Sequence, residues 1–379
     1  MANGQTAIQL SQQTFVVNIY TRGIMMVVFL SMTSRRAAFA AAVLALLLAN
    51  PGAPAHGQDH TEHGGSVETM SHDDHQMTPE MLAVLRERIP AYRDAPDQRI
   101  LLEMQMMGPG QSRYLSADSV RGETAVLVLI HGFGETGDRV MTEAVQPMAT
   151  IFPAAMSAGM SMMGSDHIQQ SIDDLTAAGA KTIIVVPMAS SRRNSLIYQW
   201  QYIFGLREHG AYYDVPRVQT DERVILADPP AGHPLITQIV LDHALEMSTD
   251  PENEVVFIIA HGPVYEKENQ EQLAAMAVQA RRIQELGGFS SVEGVTLQDD
   301  AAPEVRAGNV AALRKKIEAA TAAGKRVLIV TDLLAARSIQ WKIERDLEGL
   351  DYEFSVKGIS MHPNFRRWFQ ETVMDAIKQ

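Results

Sequence analysis

Cysteine is absent from all 379 residues. That excludes disulfides, thiolate metal cages and dithiol redox chemistry, so any transition metal would be held by imidazole, carboxylate or thioether groups. Basic charge is scarce as well: 32 Lys and Arg stand against 45 Asp and Glu, a net −13. Such a chain repels nucleic acid. No apolar run is long enough for a membrane-spanning helix, the run from Ala37 to Leu48 being too short. A G-x-S-x-G nucleophile elbow is missing too; Gly159-Met160-Ser161-Met162-Met163-Gly164 comes nearest, with its second glycine one residue late.

The amino terminus has the layout of an export signal. Arg35 and Arg36 precede the apolar run, and Ala53-Pro54-Ala55 places small residues at a cleavage site. Residues 1–31 add nothing a signal needs, which makes Met32 a candidate initiator. Ser34-Arg35-Arg36 resembles a twin-arginine signal, with Phe39 one place late. Cleavage after Ala55 removes three arginines and no acids, and the mature chain is expected in the periplasm without a stable membrane anchor. From His56 to Met77 the sequence is polar and carries five of the chain's twelve histidines: His56, His60, His63, His72 and His75. The composition predicts a disordered linker able to gather divalent metal through neutral imidazoles, or one with incidental affinity only.

The rest of the chain repeats itself. AVLVLIHG up to His131, TAAGAKTIIVVP from Thr176, and a segment ending at His233-Pro234 form one set of landmarks. EVVFIIAHG up to His261, TAAGKRVLIVTD from Thr321, and a segment ending at His362-Pro363 form the second. A repeat on this scale predicts two similar α/β lobes, over 78–250 and 251–379, in a pseudo-symmetric pair. Apolar β-branched runs without alternation predict buried parallel strands near 125–131, 182–187, 223–227, 255–260, 326–331 and 353–359. Helices are expected over 165–178, 234–247, 268–285, 305–322, 338–347 and 364–378. Another should begin after Thr78-Pro79-Glu80, which read as a cap and first turn. Alternating strands and helices give a doubly wound, mainly parallel sheet in each lobe, with ligands beyond the carboxyl ends of the strands.

Three motif readings compete for VLVLIHGFGETG. Gly132, Gly134 and Gly137 match a dinucleotide fingerprint, but the next strand begins only near Thr182 and ends in Pro187 without a ribose-binding acid. The HGFG string is similar to the oxyanion turn of α/β-hydrolases, which keeps a hydrolase as an alternative despite the missing elbow. Taken over both copies, LIHG, IIVVP, ILADPPAGHPLITQIVLDHALE, IIAHGPVYEKEN, VLIVTDLL and ISMHPNFRRWFQETV resemble the class II chelatases, over roughly residues 120–379.

This resemblance implies two chelatase-like lobes related by internal duplication, facing a cleft. It implies insertion of a divalent metal (Co²⁺, Fe²⁺ or Ni²⁺, as substrate) into a tetrapyrrole of the sirohydrochlorin type, with no organic cofactor. A porphyrin-like ring must lose two pyrrole protons and accept a metal that is shedding water, and histidine serves both needs. His131 matches the family's His-Gly histidine and is the first candidate for metal ligand and proton acceptor, with His261 as its counterpart. Glu135 and Glu266 follow in the two loops as candidates for proton or metal transfer. A second family histidine expected after the TIIVVP strand is missing from Met188 to Trp200. Arg192 and Arg193 stand there instead, where they could meet tetrapyrrole carboxylates or form solvated surface. The bland readings stay open: His131 or His261 as a structural histidine, His233 and His362 as turn residues before a helix, and Met156, Met160, Met162 and Met163 as core. A metal- or tetrapyrrole-binding protein without turnover is the non-enzymatic alternative.

Overall fold

The computed structural model describes residues 13–21, 24–32, 77–107, 110–159, 161, 164–335 and 338–379. The export-signal features from Ser34 to Ala55, the five histidines of the 56–77 tract, and Met160, Met162 and Met163 lie outside them. Two units are distinct, Met1–Met70 and Ser71–Gln379. In the first, β1 (Gln13–Thr21) and β2 (Ile24–Met32) pair antiparallel from Gln13↔Met32 to Thr21↔Ile24. Their Val, Ile, Tyr and Phe content suits a pleated ribbon. No helix among the described residues is long and apolar enough to cross a membrane.

The second unit opens with α1 (Pro79–Arg88) and α2 (Asp97–Met107), joined by a 3₁₀ turn over Pro90–Tyr92. Thr78 caps α1, its hydroxyl accepting from the Met81 amide, and Pro79 occupies the first turn. The first sheet holds β3 (Gln111–Tyr114), β4 (Thr124–Ile130), β5 (Ala154–Ala158), β6 (Thr182–Pro187) and β7 (Arg223–Leu226) in the order β3-β5-β4-β6-β7. Only β3 runs antiparallel. The second sheet holds β8 (Glu254–Ala260), β9 (Ser291–Thr296), β10 (Arg326–Thr331) and the two-residue β11 (Glu353–Phe354), all parallel, in the order β11-β10-β8-β9. Matching β4 with β8, β5 with β9, β6 with β10 and β7 with β11 superposes the two orders. The duplication legible in the landmarks is therefore a duplication of topology.

Helices α3 (Gly134–Ala149), α4 (Asp166–Ala177), α5 (Ser195–Ile203) and α6 (Pro234–Leu245) follow the first lobe's strands. Helices α7 (Glu266–Gly287), α8 (Pro303–Ala322), α9 (Ser338–Asp346) and α10 (Pro363–Ala376) follow those of the second. Alternation along each central strand divides its side chains between two cores, which is why these strands read as unbroken apolar runs. Val126, Val128 and Ile130 of β4 and Val256 and Ile258 of β8 face one shared core. Ala125, Leu127 and Leu129 face a second core beneath α1, α2, α4 and α5, and Val255, Phe257 and Ile259 a third beneath α8 and α9.

Each lobe's last helix crosses to the other lobe. Helix α6 packs on β10 and α7 of the second lobe, while α10 packs on β6 and α3 of the first, and the two helices touch each other. The shared core is thus closed by exchanged helices, with Phe365, Trp368 and Phe369 of α10 fully buried in it.

Besides β1 and β2, three strands of the second unit had no expectation attached. Strand β5, AAMSA, has no β-branched residue and is held by complete burial. Strand β9, SVEGVT, carries a glycine because a Cβ at Gly294 would come 2.7 Å from the Met276 Cβ. Strand β3 is a polar edge. The expected strand over 353–359 shrinks to β11, after which the chain turns into a 3₁₀ turn at Ile359–Met361.

Candidate functional site

His131 and His261 stand at matching places, one residue beyond the carboxyl ends of β4 and β8. The following glycines take positive φ, 87° at Gly132 and 81° at Gly262, which turns each chain sharply off its strand. At Gly262 the choice is doubly constrained, since a Cβ would lie 2.8 Å from the Thr296 Cβ.

Both histidines are half-buried, and they are close enough for their charges to interact. Burial, and then repulsion from His261, push the His131 pKa below its usual 6.5, although local backbone groups and Asp138 partly oppose this. His131 is therefore kept neutral, as a proton acceptor or metal ligand must be. Its ring meets the edge of Phe133 at 4.4 Å between centroids. Asp138 is buried and accepts from the Phe133 amide at 2.7 Å, which fixes the start of α3.

The environment of His261 is more polar. Its Nδ1 lies 3.0 Å from the Gly262 carbonyl, which only accepts, so Nδ1 carries a proton. Its Nε2 faces Oδ2 of Asp300 at 3.7 Å. That is too long for a hydrogen bond but within ion-pair range, and it leaves an imidazole and a carboxylate side by side. Asp299, next along the loop, is buried. Burial alone would raise its pKa, but His261, Lys342 and Arg306 more than offset this and hold it at about 2. Lys342 and Arg306 each contact it at 2.6 Å, and Arg306 also reaches Asp346 at 2.7 Å.

The amino-terminal segment also reaches this loop. The Ala91 amide donates to the Asp300 carbonyl at 3.2 Å. Tyr92 and Tyr212 are buried nearby; burial first, and charges including that of Asp300 second, push both phenols up and keep them protonated.

Other candidates fall elsewhere. Glu135 is exposed in the first turn of α3, and Glu266 is exposed at the start of α7, accepting from Gln270 at 3.1 Å. Arg192 pairs with Asp228 at 3.0 Å and Arg193 with Glu271 at 2.7 Å, so both guanidinium groups already have carboxylate partners. Arg193 reaches across the lobes, as does the Tyr198 hydroxyl, which donates to Glu268 at 3.0 Å. Among the described residues, no group of three or more His, Asp or Glu side chains converges as a metal cage. Ser161, of the near-elbow, is buried, with its hydroxyl accepting from the Trp200 indole at 3.3 Å. Asp299 and Asp300 went unrecognised in the sequence because β9 did; an Asp-Asp pair just past a strand end was the available signal.

No family model matches the chain, and no curated protein matches it. Solved structures do. SirB from Bacillus subtilis with Fe³⁺ superposes with a TM-score of 0.50 at 17% identity, over 67% of this chain and 96% of SirB. DR2241 from Deinococcus radiodurans, described as a multi-domain protein with structural similarity to chelatases and two additional novel domains, gives 0.44 at 17% identity, over 66% of this chain and 55% of that one. The chain thus has a chelatase-like fold, two lobes with mainly parallel sheets whose central strands lead into His131 and His261.

Proposed function

We propose that this protein inserts a divalent transition metal into a tetrapyrrole of the sirohydrochlorin type, with the metal as substrate. The observation that carries the reading is the 3.7 Å separation between Nε2 of His261 and the Asp300 carboxylate, with a neutral His131 nearby. An imidazole and a carboxylate hold a borderline divalent cation, and two donors leave most of its coordination sphere for water and incoming pyrrole nitrogens. A metal that must leave for the macrocycle is better served by such a partial site than by a closed cage. His131 is the proton acceptor for a pyrrole N–H, since its burial keeps the ring neutral.

The fold likeness to SirB, which was crystallised with Fe³⁺, supports the same reading. Glu135 and Glu266 remain proposed as exposed outlets for protons or inlets for metal. In this proposal the protein is exported, and its tract of His56, His60, His63, His72 and His75 raises the local metal concentration. Arg192 and Arg193 would meet substrate carboxylates only by exchanging them for Asp228 and Glu271.

Mixing the protein with sirohydrochlorin and Co²⁺, Ni²⁺ or Fe²⁺ tests the proposal through the macrocycle absorbance. Many equivalents inserted per protein, above a protein-free control, is the expected result. A spectral shift that saturates at one equivalent would instead identify a carrier.

A further inference from the structure

Gln298 sits two residues before Asp300, is 1% exposed and has a φ of 52°, a left-handed conformation unusual for a residue other than glycine. A side chain there costs about 1 kcal/mol or more of backbone strain, so surrounding contacts must hold it. They do so completely. The Gln298 Oε1 accepts from the Asn269 amide at 3.0 Å and from the Asn309 amide at 3.0 Å. Its Nε2 donates to the Pro263 carbonyl at 3.1 Å and the Val264 carbonyl at 3.5 Å. All four hydrogen-bonding positions of the primary amide are used.

The partners link the elements that make the site. Pro263 and Val264 follow His261 directly, Asn269 is in the first helical turns after that loop, and Asn309 is on α8. Asn269 in turn accepts from the Thr296 hydroxyl at 2.6 Å, and Asn309 also donates to the Leu297 carbonyl at 3.2 Å. The loop after β8, which presents His261, is thereby tied to the loop after β9, which presents Asp299 and Asp300. The backbone adds one weaker link, the Asp299 amide to the His261 carbonyl at 3.3 Å.

We infer that Gln298 is the positioning residue of the second lobe's site, holding the Asp300 loop against the His261 loop so that a cation can be shared between the two side chains. This rests on the metal-handling reading above. Gln298 touches no substrate and acts only through Asp300. Glutamate would not replace it, because a carboxylate in its place meets the Pro263 and Val264 carbonyls without a proton to give.

The test uses the full chain with His56, His60, His63, His72 and His75 replaced by serine, so that Co²⁺ alone reports on the cleft. Co²⁺ affinity is measured by titration for the parent, Gln298→Ala, Asp300→Asn and the double variant, each with a thermal melt. Both single variants are expected to lose about 10- to 100-fold in affinity. The double variant should be no weaker than Asp300→Asn, because Gln298 works through that residue. Asn309→Ala, which removes one of the amides holding Gln298 and leaves the rest, should shift affinity the same way by less; it also serves if Gln298→Ala gives no cooperative melt. Full affinity in Gln298→Ala or Asn309→Ala, or losses that multiply in the double variant, would overturn the inference. An unchanged affinity in Asp300→Asn would overturn the metal-site reading itself.

Discussion

Two buried aspartates in the second lobe are shifted in opposite directions, and they should be separable by pH. Asp299, beside His261, Lys342 and Arg306, is held at about 2 against a usual 3.8. A depressed carboxyl contributes stability above its unfolded pKa and loses it as pH falls toward the folded value, here about 2 kcal/mol lost between roughly pH 4 and 2. For Asp332, just past β10, burial raises the carboxyl to about 7, only slightly countered by Gln279, and its Oδ1 has no hydrogen-bond partner among the described residues. Its contribution has the other sign. Stability is full below about pH 4 and falls as pH rises to about 7, by an amount on the order of 4 kcal/mol at most. Urea unfolding of Asp332→Asn at pH 8 should therefore show a higher midpoint than the parent, with the gap closing by pH 4. Asp299→Asn should do the reverse at pH 7, costing about 3 kcal/mol by leaving Lys342 unpaired and Arg306 with Asp346 alone. A gap for Asp332→Asn that did not vary with pH would contradict its assignment. At this scale the sequence announced His131 and His261 through their glycines. Asp299, Asp300 and Gln298 stayed hidden, because their positions depend on a strand whose glycine and glutamate argue against it when read locally.

Helices α6 and α10 begin in the same way. The His233 Nδ1 accepts from the Leu235 amide at 3.2 Å, and the His362 Nδ1 accepts from the Asn364 amide at 3.1 Å. Each ring's Nε2 faces an acid on the other helix: His362 faces Asp242 at 3.2 Å and His233 faces Glu371 at 3.9 Å. The proline after each histidine was readable as a helix start; the reciprocal contact was not, because it depends on two helices exchanged between lobes. His362→Ala should cost about 1 kcal/mol through its cap, and somewhat more through Asp242. A double-mutant cycle of His362→Ala with Asp242→Ala, followed by urea unfolding, isolates the second part, and strict additivity would contradict it. Gly262→Ala tests the turn after β8. Positive φ and the Thr296 contact together predict a loss of about 2 kcal/mol or more.

The two lobes fold as one body because each supplies a helix to the other's core. Trp368 is fully buried and packs against Phe365 at 5.1 Å between ring centroids, within a core that also holds β4 and β6 residues of the first lobe. Trp368→Ala should cost about 4 kcal/mol and lower one shared thermal transition. Two separate transitions, with only the second shifted, would contradict a common core. The duplication and the parallel sheets could be read from the repeated landmarks and the unbroken apolar runs. The helix exchange could not, since both arrangements bury the same faces of the same helices.

The central claim is that metal is passed to a macrocycle between His131 and His261, and the initial rate of Co²⁺ insertion into sirohydrochlorin tests it most directly. His261→Ala and His131→Ala should each lower that rate about 100-fold or more while the thermal transition stays in place, and tetrapyrrole binding should persist in both. Insertion at the parent rate in His261→Ala would contradict the account.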